Sequence, residues 1–101
     1  MIRHIVMWTI KEGETSRVKF ERMAEVKARL MELKDKISSV ASLEVFFNSP
    51  IAPQDNFDIV LISDFNTWAD LEQYKIHPDH VEVAAYINNV KLNRTAIDFE
   101  F

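Results

Sequence analysis

The sequence predicts an α+β fold with the element order β-α-β-β-α-β in a single domain, residues 1–101. Three observations carry this. Two runs of β-branched and aromatic residues, Ile2–Ile10 and Phe57–Phe65, read as strands. A stretch with helical periodicity follows each of them, separated by turn-forming residues. A single glycine and three prolines leave little room for a linker, a phosphate-cradling loop or low-complexity sequence.

The first strand spans residues 2–10. Ile2, His4, Val6, Trp8 and Ile10 alternate with Ile5 and Met7, so both faces are apolar. A strand covered on both sides has this pattern, whereas one with a wet face alternates apolar with polar. Lys11-Glu12-Gly13 ends it. Ser16 is expected to cap a long helix reaching about Ile37. Met23, Val26, Leu30, Leu33 and Ile37 recur at steps of three and four and form its apolar stripe. Glu25 with Arg29 and Glu32 with Lys36 are i,i+4 pairs on the wet face, so the mixed charges read as solvated helix surface.

Residues 43–48 form the second strand and 49–56 a loop of turn residues. Residues 57–65 form the third strand, again apolar on both faces. Asn66 or Thr67 begins a short helix, with Thr67 and Asp70 at capping-box spacing. Trp68, Leu71 and Tyr74 share its inner side. Pro78 disfavours helical geometry at His77 and suits the first turn of a new helix, which should run to about Asn89. His80, Val83, Ala84, Ile87 and Val90 make the stripe of that piece. Residues 91–101 form the last strand.

This order is the ferredoxin-like plan, with helices on one face of an antiparallel sheet. Strands one and three are nevertheless apolar on both faces. The simplest cover for the second face is another copy of the chain, so a homodimer with packed sheets is expected.

Composition narrows the function. The 101 residues suffice for a packed core at 48% hydrophobic content, and a net charge of −4 argues against a nucleic-acid surface. Cysteine is absent, which removes disulfides, thiolate zinc sites and cysteine nucleophiles. No stretch approaches the roughly 20 apolar residues of a membrane span. The N-terminal apolar run is too short for a signal peptide. A cytoplasmic protein is expected, with no nucleic acid or membrane among its partners.

Chemistry concentrates in Tyr74-Lys75-Ile76-His77-Pro78-Asp79-His80. Imidazole titrates near neutrality, so two imidazoles beside a phenol are suited to moving protons at pH 7. Taken singly, His80 reads as a core histidine, Tyr74 as a core aromatic and His77 as a helix cap. Jointly, Tyr74 and His80 flank a helix break and point toward one concavity between helix and sheet, and His4 reaches the same place from strand one. An imidazole that takes a proton α to a carbonyl, and a phenol that donates to the oxygen turning negative, need no metal and no cofactor. Trp8 shares the strand face of His4 and is the aromatic expected beside a substrate, although Trp8, Trp68, Phe46, Phe47 and Tyr86 all suit core or interface packing. No metal-ligand spacing and no serine on a glycine-flanked turn is present.

Several segments resemble the stress-responsive dimeric α/β-barrel (Dabb) domain family. These are Met1–Trp8, Phe57–Leu61 with Asp64-Phe65, Leu71–His80, and Asp98-Phe99. Together they cover nearly the whole chain, and His4 combined with the Tyr-x-x-His-Pro-x-His run is the specific part. The resemblance implies a ferredoxin-like protomer and a homodimer whose sheets form a shared barrel. It also implies roles. A plant polyketide cyclase of this family closes a ring by aldol condensation with a Tyr and a His of the motif, which fall at Tyr74 and His80. His4 and His77 match further histidines there. A pocket histidine on the cyclase's third strand falls at Asp58, where a carboxylate changes the charge expected around a substrate.

Three functions are consistent with these residues. The first is a cofactor-independent cyclase, isomerase or lyase acting on a carbonyl compound, with His80 as base and Tyr74 as acid. The second is a non-catalytic, stress-associated dimer that binds a small molecule. The third is an oxygenase of the antibiotic-biosynthesis type, ranked last because strand one lacks the Asn that the related haem-degrading enzymes use.

Overall fold

The computed structural model describes residues 1–101. Its elements are β1 (Ile2–Ile10), α1 (Ser16–Lys36), β2 (Ser42–Phe47), β3 (Ile59–Phe65), α2 (Trp68–Ile76), α3 (Pro78–Val90) and β4 (Lys91–Glu100). The four strands form one antiparallel sheet in the order β2-β3-β1-β4. This is the ferredoxin-like arrangement, with the second helical segment split in two. No helix is long and apolar enough to cross a membrane.

β1 and β3 are the inner strands, paired on both edges, and β1 buries most of its side chains. Ile2, Val6, Trp8 and Ile10 are all buried on the helix side. Facing them are Val26, Leu30 and Leu33 of α1, Leu71 of α2, and Val83 and Ile87 of α3, within one core cluster. The α1 stripe falls where its periodicity places it, and the two i,i+4 pairs close at 2.8 Å (Arg29–Glu25) and 3.4 Å (Lys36–Glu32).

Local boundaries differ from the sequence reading in physically simple ways. Thr15, not Ser16, caps α1. Its backbone is extended and its hydroxyl accepts the Val18 N–H, so the helix gains one residue at its start. β3 begins at Ile59 rather than Phe57. Beyond the Trp8–Ile59 pair the Ile10 N–H donates to Asp58 Oδ2 at 2.8 Å, and a side chain thus ends the ladder. Trp68 does not join the core. It is half-exposed and its indole N–H donates to Glu100 at 2.8 Å. At the other end of the same helix the break falls where Pro78 requires it, with His77 extended at φ −61° and ψ 134°.

Away from the helices, the sheet presents Ile5, Met7, Phe46, Val60, Ile62, Ile97 and Phe99 from all four strands. Phe46 and Ile97 are 49% and 59% exposed, an apolar sheet face left open to solvent in the single chain. One end of that face is closed by a forked ion pair, Arg3 to both Asp64 oxygens at 2.8 and 3.0 Å, with Ser42 donating to Asp64 as well. The Arg3 guanidinium holds the Asp64 carboxyl below its ordinary range, against the opposing effect of burial.

Gly13, the sole glycine, connects β1 to α1 at close quarters. A Cβ there would lie 2.3 Å from Val18 Cγ1. Valine in a helix has little freedom to rotate away, so the backbone itself must move. Gly13→Ala is therefore expected to destabilise the protein by about 1–3 kcal/mol, measured by urea unfolding. An unchanged midpoint would show that this connection has slack.

Candidate active site

The helix break decides where the chemistry collects. α2 ends at Ile76, and its last turn points Tyr74 inward, where the ring is fully buried against Phe65 at 5.2 Å between centroids. Pro78 starts α3 on a new axis, and two residues later His80 returns to the Tyr74 ring, 4.4 Å between centroids. From the sheet, His4 on β1 approaches the other side of Tyr74 at 6.3 Å. These three side chains and Trp8 line one cavity of about 90 Å³ between the sheet and helices α1 and α3. Leu30, Leu61, Val83 and Ile87 supply its apolar walls, and Asn88 and Arg94 also line it.

Both imidazoles are anchored through Nδ1. In His80 that nitrogen lies 2.9 Å from the Lys75 carbonyl oxygen. A carbonyl only accepts, so Nδ1 carries the hydrogen and Nε2 keeps a lone pair. In His4, Nδ1 donates to the Asp98 carboxylate, which likewise leaves Nε2 as the basic nitrogen. The pairing follows from register, since His4 and Asp98 are directly opposite in the β1–β4 ladder.

Burial sets the ionisation of all three groups. It lowers the pKa of His80, with a smaller upward pull from the Lys75 carbonyl and downward pushes from His4, Arg94 and Lys75. His4 is also lowered, chiefly by burial, while Asp98 pulls it back up. Tyr74 is pushed well above the ordinary phenol value by burial alone. Burial thus favours the neutral imidazole at both histidines and the protonated phenol at Tyr74. The Tyr74 hydroxyl is buried without a protein hydrogen-bond partner, an uncommon condition for a polar group in a core.

Of the residues singled out in the sequence, His4, Trp8, Tyr74 and His80 come together, and His77 and Asp58 stand apart. His77 is the N-cap of α3, its Nδ1 accepting the Asp79 N–H at 3.1 Å. Asp58 sits at the far end of β1, where its carboxylate takes the Ile10 N–H and lies 3.4 Å from Lys19 Nζ. It joins the strand end to α1 and does not line the cavity. Arg94 and Asn88 line the cavity, and Asp98 holds His4 from outside it; local pattern gave none of the three a place at this site. The alternation of β4 places Arg94 and Asp98 on one face, but the β1–β4 register that brings them to Trp8 and His4 joins residues some ninety apart. His, Asp and Glu side chains nowhere assemble three at a time in a way that holds a metal ion.

Comparison with known proteins agrees with this architecture. A dimeric ferredoxin-like protein of unknown function from Bacteroides fragilis superimposes with a TM-score of 0.88 at 29% identity, covering 99% of this chain and 95% of that one. The hydroxynitrile lyase of Passiflora edulis gives 0.79 at 16% identity, covering 97% and 90%. A protein described as an antibiotic biosynthesis monooxygenase gives 0.70 at 17%, covering 100% and 98%. The last two likenesses show the fold alone. No protein of curated function matches the sequence. The profile of the stress responsive A/B barrel domain (Dabb) matches residues 2–101, and with that match the chain belongs to the Dabb family.

Proposed function

We propose that this chain is a cytoplasmic, homodimeric enzyme that moves a proton α to the carbonyl of a small substrate and so acts as an isomerase, cyclase or lyase. The observation that carries the reading is Tyr74, which lines one cavity with two imidazoles that each offer a free Nε2, and whose own hydroxyl is buried without a protein partner. His80 is the base. Its Nε2 takes the α-proton, the C–H electron pair moves toward the carbonyl, and the oxygen gains negative charge. Tyr74 donates its hydrogen bond to that oxygen. A phenol whose pKa burial has raised serves as a donor and not as a base. The enolate then recovers a proton at another atom, or attacks a second carbonyl carbon whose oxygen takes the proton from the imidazolium. Run backwards, the second path breaks a carbon–carbon bond. The His4–Asp98 pair supplies a second imidazole held in a fixed tautomer.

The cavity size favours a small carbonyl compound over a polyketide. The likeness to a protein named a hydroxynitrile lyase accords with a lyase among these outcomes, and a binding-only dimer is the alternative that the same assay separates. Neither Asp58 nor His77 enters the proposed mechanism. The dimer reading draws support from the open apolar sheet face and from the dimeric description of the Bacteroides fragilis neighbour. The cytoplasmic reading rests on the cysteine-free composition.

Deuterium wash-in α to the carbonyl of a panel of small ketones in D2O, followed by NMR, tests the proton transfer even while the natural substrate is unidentified. His80→Gln is expected to slow exchange by about 10²–10⁴-fold and Tyr74→Phe by about 10²–10³-fold, with the dimer intact. Ketones that bind without exchanging their protons sink the enzyme reading and leave the binding module. The pH profile carries its own sign. Since the free base is active and the pKa of His80 is lowered, the rate rises with pH through a midpoint below the ordinary imidazole value near 6.5 and then stays level. The raised Tyr74 pKa predicts no fall near pH 10. A bell centred on neutrality contradicts both assignments. For the assembly, Ile97→Asp on the open face is expected to move the protein from dimer to monomer in sedimentation velocity, whereas a dimer of unchanged strength would place the contact elsewhere.

A further inference from the structure

Arg94 stands out among the five arginines as the one without a protein partner. Arg3 forks onto Asp64, Arg17 pairs with Glu21, and Arg29 pairs with Glu25 and lies over the Tyr86 ring. Arg22 donates to the Lys11 and Glu12 carbonyls. Arg94 makes no hydrogen bond and no ion pair. It lies on the helix side of the edge strand β4, opposite Trp8, and it lines the cavity that holds His4, Tyr74 and His80. The acids near it are committed elsewhere, with Asp98 on His4 and Glu100 on Trp68.

We infer that the substrate is a small oxo acid, its carboxylate held by the Arg94 guanidinium at one end of the cavity while its carbonyl lies against Tyr74 and His80 at the other. This rests on the proton-transfer reading for the second half and on Arg94 for the first. An unpaired guanidinium presents a planar fork of donors that matches a carboxylate in two parallel hydrogen bonds. The strand spacing sets the geometry. On one face of β4, Arg94 lies opposite Trp8 and Asp98 opposite His4. The cavity follows β1 from Trp8 to His4 in the same way. A molecule lying along it thus has a charged end and a reacting end.

A carboxylate fits better than a phosphate. The cavity is about 90 Å³, and one guanidinium is the free cation on its wall. The nearby Lys75 ammonium is already shared between Glu72 at 3.6 Å and Asp98 at 3.9 Å. A dianion asks for more donors than the site has to spare. Asn88 also lines the cavity, and its amide is a neutral donor. Binding of a carboxylate also acts on the chemistry. After burial, Arg94 is among the charges that depress both imidazoles. An anion on Arg94 offsets that push, so the base strengthens when the substrate is in place.

The test uses the intact dimer and two probes of nearly equal size, 4-oxopentanoate and the uncharged pentan-2-one, with inorganic phosphate as a third, each titrated by NMR. The expected result is a preference for the oxo acid of about tenfold or more that shrinks as salt is added. Arg94→Ala removes the preference, and Arg94→Lys restores part of it. Equal affinities in the wild type, a preference that survives Arg94→Ala, phosphate binding as tight as that of the oxo acid, or no binding of the oxo acid at millimolar concentration each overturns the proposal. The two readings fail separately. A protein that keeps the carboxylate preference but exchanges no α-protons loses the enzyme reading alone. One that exchanges protons with indifference to Arg94 loses this inference alone.

Discussion

The Lys75 carbonyl has no backbone donor, and the site is organised around that gap in the helix ladder. In an unbroken helix it would accept from the N–H four residues on. Pro78 prevents this by turning the chain at His77, and the Asp79 N–H goes to the His77 ring instead. The freed oxygen takes the Nδ1 hydrogen of His80. One missing helical bond thus fixes the tautomer of an imidazole, aims its other nitrogen, and lets the tilted rings of Tyr74 and His80 meet across the break. The proline motif is structural and chemical at once, because the same break that ends the helix creates the acceptor that the histidine needs.

The second half of the site depends on the sheet. β1 lies between β3 and β4, so a residue on its inner face meets a partner from each neighbour. His4 finds Ser63 on one side and Asp98 on the other. The carboxylate stands at the edge strand, partly open to water, while the ring it orients is buried. A buried imidazole is thereby oriented by an anion that stays partly solvated, which costs less than burying that anion.

Much of this is legible in the sequence, and the reasons divide cleanly. The two-sided apolarity of β1 and β3 points to a sheet with helices on one face and a bare second face, since alternation is a local property. The break at Pro78 is legible for the same reason: proline acts on its immediate neighbours. Tyr74, His80, His4 and Trp8 line one cavity, and the local pattern around the break accounts for the first two. The cap of α1 slips from Ser16 to Thr15 because adjacent hydroxyl residues offer the backbone nearly equivalent caps. Asp98 and Arg94 are not legible as site residues, because their meaning comes from pairing with a strand about ninety residues earlier. The family motif places a pocket group at Asp58, yet its carboxylate turns to the Ile10 N–H and Lys19 and does not line the cavity. There the carboxylate ties backbone to lysine, a role that pattern alone does not distinguish.

The orphaned Tyr74 hydroxyl links occupancy to folding. Leaving a polar group buried without a partner costs a protein about 1–3 kcal/mol, and no group of the chain itself meets the Tyr74 hydroxyl. Any occupant that accepts from the phenol offsets that cost, so the folded state is favoured in proportion to how much of the occupant is present. The melting temperature thereby becomes a reporter of cavity chemistry. A compound that raises it in the native protein, but less so when Phe replaces Tyr74, identifies itself as one that places an acceptor at the hydroxyl.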